Sequence, residues 1–197
     1  MTETLQTLLK EIRSCTICAS ELPHEPRPVL IADQRAVILV AGQAPGRKVH
    51  ETGLPWNDAS GDRLRGWLGL GRDEFYDRTK IAIVPMGFCF PGTGPSGDRP
   101  PRPECSRTWH GRLLPLLPKL ELRIIIGSFA QAYHLPRRAD STLTRNVAAW
   151  REYAPGCFPL PHPSPRNQLW LRRNPWFERD VLPPLRATVR RALDRCG

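Results

Sequence analysis

The stretch Ala36-Val37-Ile38-Leu39-Val40-Ala41, running straight into Gly42-Gln43-Ala44-Pro45-Gly46, decides the fold of this 197-residue chain. An unbroken apolar run with β-branched members and no polar alternation is what a strand needs when both its faces are buried, as in a parallel sheet covered by helices. The glycines and proline that follow build a tight turn of the kind that ends a strand and lets backbone approach a ligand closely. Two more runs have the same character, Ile81-Ala82-Ile83-Val84 and Leu122-Arg123-Ile124-Ile125-Ile126, and a weaker fourth, Cys157-Phe158-Pro159-Leu160, leads into His162. Helical spacing of apolar residues covers 62–70, 104–117, 128–135 and 143–153, and Leu5, Leu8, Leu9 and Ile12 mark a first helix running into Cys15. A final helix, or a pair broken at Pro183-Pro184, is expected over 176–193.

Strands alternating with helices predict an α/β fold: a three-layer α/β/α sandwich around a short, mainly four-stranded parallel sheet, in a single domain over 1–197. Ligand chemistry in such a sheet lies beyond the carboxyl ends of the strands. Three segments fall there: Gly42 to Gly46, Pro85 to Cys89, and His162 to Asn167.

Lys and Arg number 29 against 19 Asp and Glu, a formal charge of +10, which favours a polyanionic partner such as nucleic acid. No stretch approaches the ~20 apolar residues of a membrane span, and the amino terminus lacks a basic-then-apolar signal pattern. The expectation is therefore a cytoplasmic, nucleoid-associated monomer with no membrane partner. In a reducing compartment its six cysteines are metal ligands or free thiols more readily than a disulfide framework. The 22 prolines cluster in loops, among them Pro95 to Pro103 and Pro159 to Pro165, which fixed φ angles shape into rigid surfaces.

Gly42-Gln43-Ala44-Pro45-Gly46 contains neither a G-x-G-x-x-G fingerprint nor a P-loop, so it is not a phosphate cradle of either kind. Nearly 120 residues later, His162-Pro163-Ser164-Pro165-Arg166-Asn167 uses two prolines to hold a His, a Ser and an Arg on one stiff loop, poising His162 as a donor or proton-transfer group. At this pair of loops the chain resembles the uracil-DNA glycosylase superfamily. The first segment is similar to the first motif of its iron–sulfur bacterial and archaeal branch, and the second to the H-P-S-P motif of the single-strand-selective branch. Thr52-Gly53-Leu54-Pro55-Trp56-Asn57 resembles the family's T-G-x-P-F segment, which puts Trp56 where an aromatic ring stacks on an extruded base. Read from the residue alone, Trp56 is also what a core aromatic would be.

The iron–sulfur enzymes carry a C-x-x-C pair followed by a distant C-x15-C pair. Cys15-Thr16-Ile17-Cys18, with Cys89 and Cys105 and the fifteen residues between them, is similar. The resemblance implies a [4Fe–4S] cluster on Cys15, Cys18, Cys89 and Cys105, while spacing by itself leaves Zn²⁺ as the alternative. Cys157 and Cys196 fall outside the pattern and are assigned to packing and chance exposure.

The resemblance further implies an enzyme of base excision repair. It would be a monofunctional DNA glycosylase that flips a deaminated or damaged base, uracil foremost, out of single- or double-stranded DNA and hydrolyses its N-glycosidic bond. His162 would donate to the base anion, the backbone at Gln43 and Ala44 would hold the base, and Ser164, Arg166 and Asn167 would meet the DNA, with Arg166 a wedge or a phosphate contact. Ala44 stands where other branches place the acid or amide that holds water, leaving His50 first among candidates that include Glu51, Asn57 and Asp58. Pro85 stands where the related enzymes have the Asn that reads uracil, so base reading is expected to pass to Met86 and Gly87 backbone groups or to Gln43. That substitution leaves hypoxanthine, xanthine or a damaged pyrimidine open as the excised base. Two alternatives remain from other classes: a family member that binds lesions without turnover, and a Zn-stabilised nucleic-acid-binding module.

Overall fold

The computed structural model of the chain describes residues 3–95, 97–136 and 142–195. Cys196 lies outside them. The strands among the described residues are β1 (Ile38–Ala41), β2 (Ile81–Ile83), β3 (Thr93–Gly94), β4 (Gly97–Asp98), β5 (Leu122–Ile126) and β6 (Cys157–Leu160). Four of these form a wholly parallel sheet in the order β2-β1-β5-β6, with Ile38 opposite both Ile81 and Leu122, and Ile124 opposite Phe158.

Alternation within the apolar runs sorts the side chains into two cores. Ile38, Val40, Ile81, Ile83, Leu122, Ile124 and Ile126 face one layer, and Leu39, Ala41, Ala82, Val84 and Ile125 face the other. Helices Ala59–Leu68 and Leu182–Asp194 cover the first face through Leu64, Leu68, Leu185 and Val189. Helix Leu5–Arg13, the helical segment from Pro103 to Leu116 and helix Gly127–His134 cover the second. Burying a side chain such as Leu8 or Ile12 contributes about 1.5–3 kcal/mol each, and both are fully inaccessible. The result is the α/β/α sandwich that the both-face-buried strands require.

Pro183 and Pro184 neither break nor split the last helix. They occupy its first turn, where the missing N–H groups have no intrahelical partner to lose, and Phe177–Val181 leads into them as a π-helical turn. Two short helices, Arg47–Thr52 and Arg72–Tyr76, bury only Val49 and Phe75 respectively, too few apolar residues to show a period. The Pro-rich loop also folds back as an antiparallel hairpin, with Thr93 opposite Asp98. No helix among the described residues is long and apolar enough to cross a membrane.

Candidate active site

The loops that follow β1, β2 and β6 converge at the carboxyl end of the sheet around a cavity of about 270 Å³, walled by Gln43, Ala44, Trp56, Pro85, His162 and Asp98 among others. Backbone bonds continue past the strands and strap the first two loops together: Met86 N–H donates to Gly42 O at 2.8 Å and Gly87 N–H to Gln43 O at 2.9 Å. The N–H groups of Gln43 and Ala44 have no partner among the described residues, and the Gln43 side-chain amide donates to Arg99 O at 3.2 Å. A cavity-lining turn with two uncommitted backbone donors can receive the edge of a planar, acceptor-rich ligand.

Trp56 and His162 are neighbours in the wall of this space, ring centroids 5.6 Å apart and tilted by 34°. Its backbone is in the left-handed region, φ 57°, which a bulky residue adopts only where its surroundings enforce it. The enforcement is visible. Tyr76 Oη donates to Pro55 O at 2.8 Å, Arg65 Nη1 donates to Trp56 O at 3.2 Å, and Asp58 caps the next helix by accepting from Gly61 N–H at 2.8 Å. Two glycines make room. A Cβ on Gly61 would lie 1.7 Å from Trp56 O, and one on Gly42 would lie 2.7 Å from the Trp56 ring.

His162 is fixed from both ends. Asn167 Nδ2 donates to its carbonyl at 2.8 Å, and Ser164 N–H donates to its Nδ1 at 3.2 Å, so the proton of the neutral ring sits on Nε2. Burial holds its pKa below the ordinary histidine value, partly offset by the nearby Asp58 carboxylate, which keeps the ring neutral at pH 7. Arg63 ties the loop to the helix beneath, donating to Ser164 O and Gln168 Oε1, both at 3.2 Å. Ser164 and Arg166 line the cavity; Asn167 acts behind it, on His162.

Two of the residues expected in the site stand elsewhere. Met86 is buried in the second core, and its N–H is committed to Gly42, as that of Gly87 is to Gln43, so neither N–H is free to read a base. His50 packs between His24 and Phe90, with ring centroids 5.2 and 6.1 Å away, outside the cavity wall. Its helix turns the ring away from the cavity and onto those two rings, while Val49 lines the cavity, and the Arg27 guanidinium binds its carbonyl at 2.6 Å. Asn57 is taken by Arg72, which donates to its Oδ1 at 3.0 Å, and Glu51 is exposed. Of the four water-holding candidates, Asp58 lines the cavity.

The cavity also contains a carboxylate that the sequence reading did not single out. Asp98 reaches the mouth from β4, close enough that a Cβ on Gly46 would lie 3.3 Å from its Oδ2. Burial and Asp58 push its pKa up, against the pull of Arg166 and Arg47. No local pattern marks it, because its place depends on a Gly- and Pro-rich hairpin folding back over a turn fifty residues earlier in the chain. The wall beside it is Pro85, whose carbonyl accepts from His110 Nε2 at 3.1 Å.

Away from the cavity, Cys18, Cys89 and Cys105 are buried and Cys15 half-buried, all unpaired. They share one electrostatic neighbourhood: charge on Cys15 and Cys18 raises the thiols of both Cys89 and Cys105. Burial, the larger cause, pushes Cys89 up to about 12 and Cys105 up to about 11, while Phe88 N–H donates to Cys105 Sγ at 3.4 Å. Among the described residues, no three His, Cys, Asp or Glu side chains close on one point as the ligands of a single metal ion do. Cys157 lies apart, packed against the second core.

Compared with protein families, residues 29–186 match the one described as the uracil DNA glycosylase superfamily. The match takes in every cavity residue named above and leaves Cys15 and Cys18 outside it.

Proposed function

The chain belongs to the uracil DNA glycosylase superfamily, whose members act on DNA, and on that premise we propose that it is a monofunctional DNA N-glycosylase that draws one base out of the strand and hydrolyses its glycosidic bond. The observation that carries this reading is the cavity itself: a tryptophan face, a neutral histidine with its proton on Nε2, and two free backbone donors around a space of about 270 Å³. An extruded base stacks on Trp56, its carbonyl edge meets the N–H groups of Gln43 and Ala44, and His162 Nε2–H donates to the oxygen that gains charge as the bond breaks. Donors fixed before the reaction cost no reorganisation during it. Arg166, at the cavity mouth, meets the phosphates or the gap left by the base. Uracil is the first candidate base.

The four-thiol corner is read as the seat of a [4Fe–4S] cluster on Cys15, Cys18, Cys89 and Cys105. What supports this is the donor set: four soft sulfurs within reach of one another's charge, with a backbone N–H on one of them, and no disulfide competing for them. Cluster ligands bind different irons and need not close on one point, whereas a Zn²⁺ site must. The role of such a group would be to clip the segment after helix Leu5–Arg13 to the loop after β2.

The deciding experiment is base release from oligonucleotides carrying uracil, hypoxanthine, xanthine or a mismatched thymine, each leaving an alkali-labile abasic site. Release of none, with DNA binding intact, overturns the glycosylase reading in favour of lesion binding without turnover. Anaerobically purified protein should be brown; colourless protein with one zinc per chain overturns the cluster.

A further inference from the structure

Hydrolysis needs a group that the first motif of this chain does not supply. Ala44 has no side chain able to hold water, and His50 lies outside the cavity wall. A flipped nucleotide enters base first, so the base lies against Gln43, Ala44 and Pro85, and its sugar stays level with the mouth. Two carboxylates line the same cavity, the exposed Asp98 on β4 and the half-buried Asp58 at the cap of helix Ala59–Leu68. The two carboxylates differ in commitment. Asp58 Oδ1 accepts from Gly61 N–H at 2.8 Å, an N-cap that holds it in place, whereas the Asp98 carboxylate makes no hydrogen bond or ion pair among the described residues.

We propose that Asp98 is the general base of the reaction, taking the proton of the attacking water, while Asp58 is the fixed negative charge that faces the sugar cation. This rests on the glycosylase reading. The electron pair of the C1′–N bond leaves with the base, which His162 holds as an anion. The water oxygen then bonds to C1′, one of its protons passes to the Asp98 carboxylate, and that proton is returned through solvent to the departed base. Carboxylates in unlike environments divide acid–base labour in this way elsewhere. The groups facing Asp98 are Arg47 from helix Arg47–Thr52, Arg166 from the His162 loop, and Asp58. The two arginines favour its charged form. Asp58 and partial burial make it more basic than a surface carboxylate.

The test is single-turnover release of whichever base the wild type excises best, followed against pH for wild type, Asp98→Asn and Asp98→Glu, alongside the affinity of each for duplex carrying an abasic site. Asp98→Asn should slow release on the order of 10²-fold and flatten the rise of rate with pH, with abasic-site affinity equal or higher because a charge near the phosphates is gone. Asp98→Glu should recover part of the rate. A full rate in Asp98→Asn, with only tighter DNA binding, overturns the assignment and leaves Asp98 a phosphate-repelling residue. Loss of rate and affinity together, with a lowered melting temperature, overturns it in favour of a structural role. A wild type that releases no base fails the glycosylase reading itself, which these variants cannot do.

Discussion

The two walls of the cavity are built on opposite chemical plans. One, made by the loops after β1 and β6, presents donors: the N–H groups of Gln43 and Ala44 and the Nε2–H of His162. The other, made by the loop after β2 and the hairpin, presents the ring of Pro85 and the carboxylate of Asp98. Pro85 O, Met86 N–H and Gly87 N–H are all spent on other protein groups. On the proposed glycosylase reading, the difference teaches that the first wall would stabilise negative charge on any departing base, whereas the second is where selection among bases would have to arise, and this chain has placed the Pro85 ring there. A pocket that rejects through shape discriminates less sharply than one that leaves buried polar groups unpaired when the wrong base enters.

Removing the donor should do the greatest damage. His162→Ala is expected to lower the single-turnover rate about 10²–10³-fold with little change in DNA affinity, since one preorganised donor to a developing oxyanion is worth that much. A loss below tenfold would mean that the backbone donors carry the charge and that the first wall is not organised around the imidazole.

Acid should attack the other wall first. His110, which holds the Pro85 carbonyl, and His134 beside it are both pushed down to about 4 by burial. Between pH 6.5 and 4 the unfolded chain takes up two protons that the folded chain refuses. Stability is thus fully present above 6.5 and is lost as pH falls through that window, by up to roughly 3 kcal/mol for each histidine. Thermal melts across the window, compared with His110→Gln, would measure it; a flat melting temperature would show that these rings take protons without cost.

Trp56→Ala should weaken substrate binding by ~1–3 kcal/mol, about 5- to 150-fold, and act on KM more than on kcat, because stacking does not depend on which base is held. A selective loss for one base would move part of the discrimination to the first wall. The smallest effect expected is the most informative about selection. Pro85→Asn restores a side-chain amide to the second wall and should shift the ratio of uracil to hypoxanthine release towards uracil by up to about tenfold, one net hydrogen bond's worth. An unchanged ratio would show that the Asn side chain does not reach the base from this backbone.

The same division explains what could be read in advance. β5 and β6 were legible to the residue, and β1 and β2 to within two, because a strand buried on both faces is written locally as an apolar run. The donor wall was legible because each of its loops is a short stiff segment whose prolines and glycines fix its shape without distant help. Asp98 was not, because nothing between Phe90 and Glu104 says that the segment folds back on Gly46. His50 was misplaced because position in a motif does not say which way a six-residue helix turns its side chains. Met86 was misplaced because the bonds that Met86 and Gly87 N–H donate to Gly42 and Gln43 continue the β1–β2 pairing two residues past Ala41, the last residue of β1.

Gly42 and Gly61 carry a consequence for how mutations would be tolerated along this chain. Neither has a side chain to offer a substrate, yet each marks a volume already filled by Trp56, so that a single methyl group would collide with the ring in one case and with its carbonyl oxygen in the other. In a survey of all single substitutions, both should be as unforgiving as His162, for the opposite reason. His162 is required for the atoms it has. The glycines are required for the atoms they lack, so part of the instruction for the pocket is stored as empty space at two places far from the histidine in sequence.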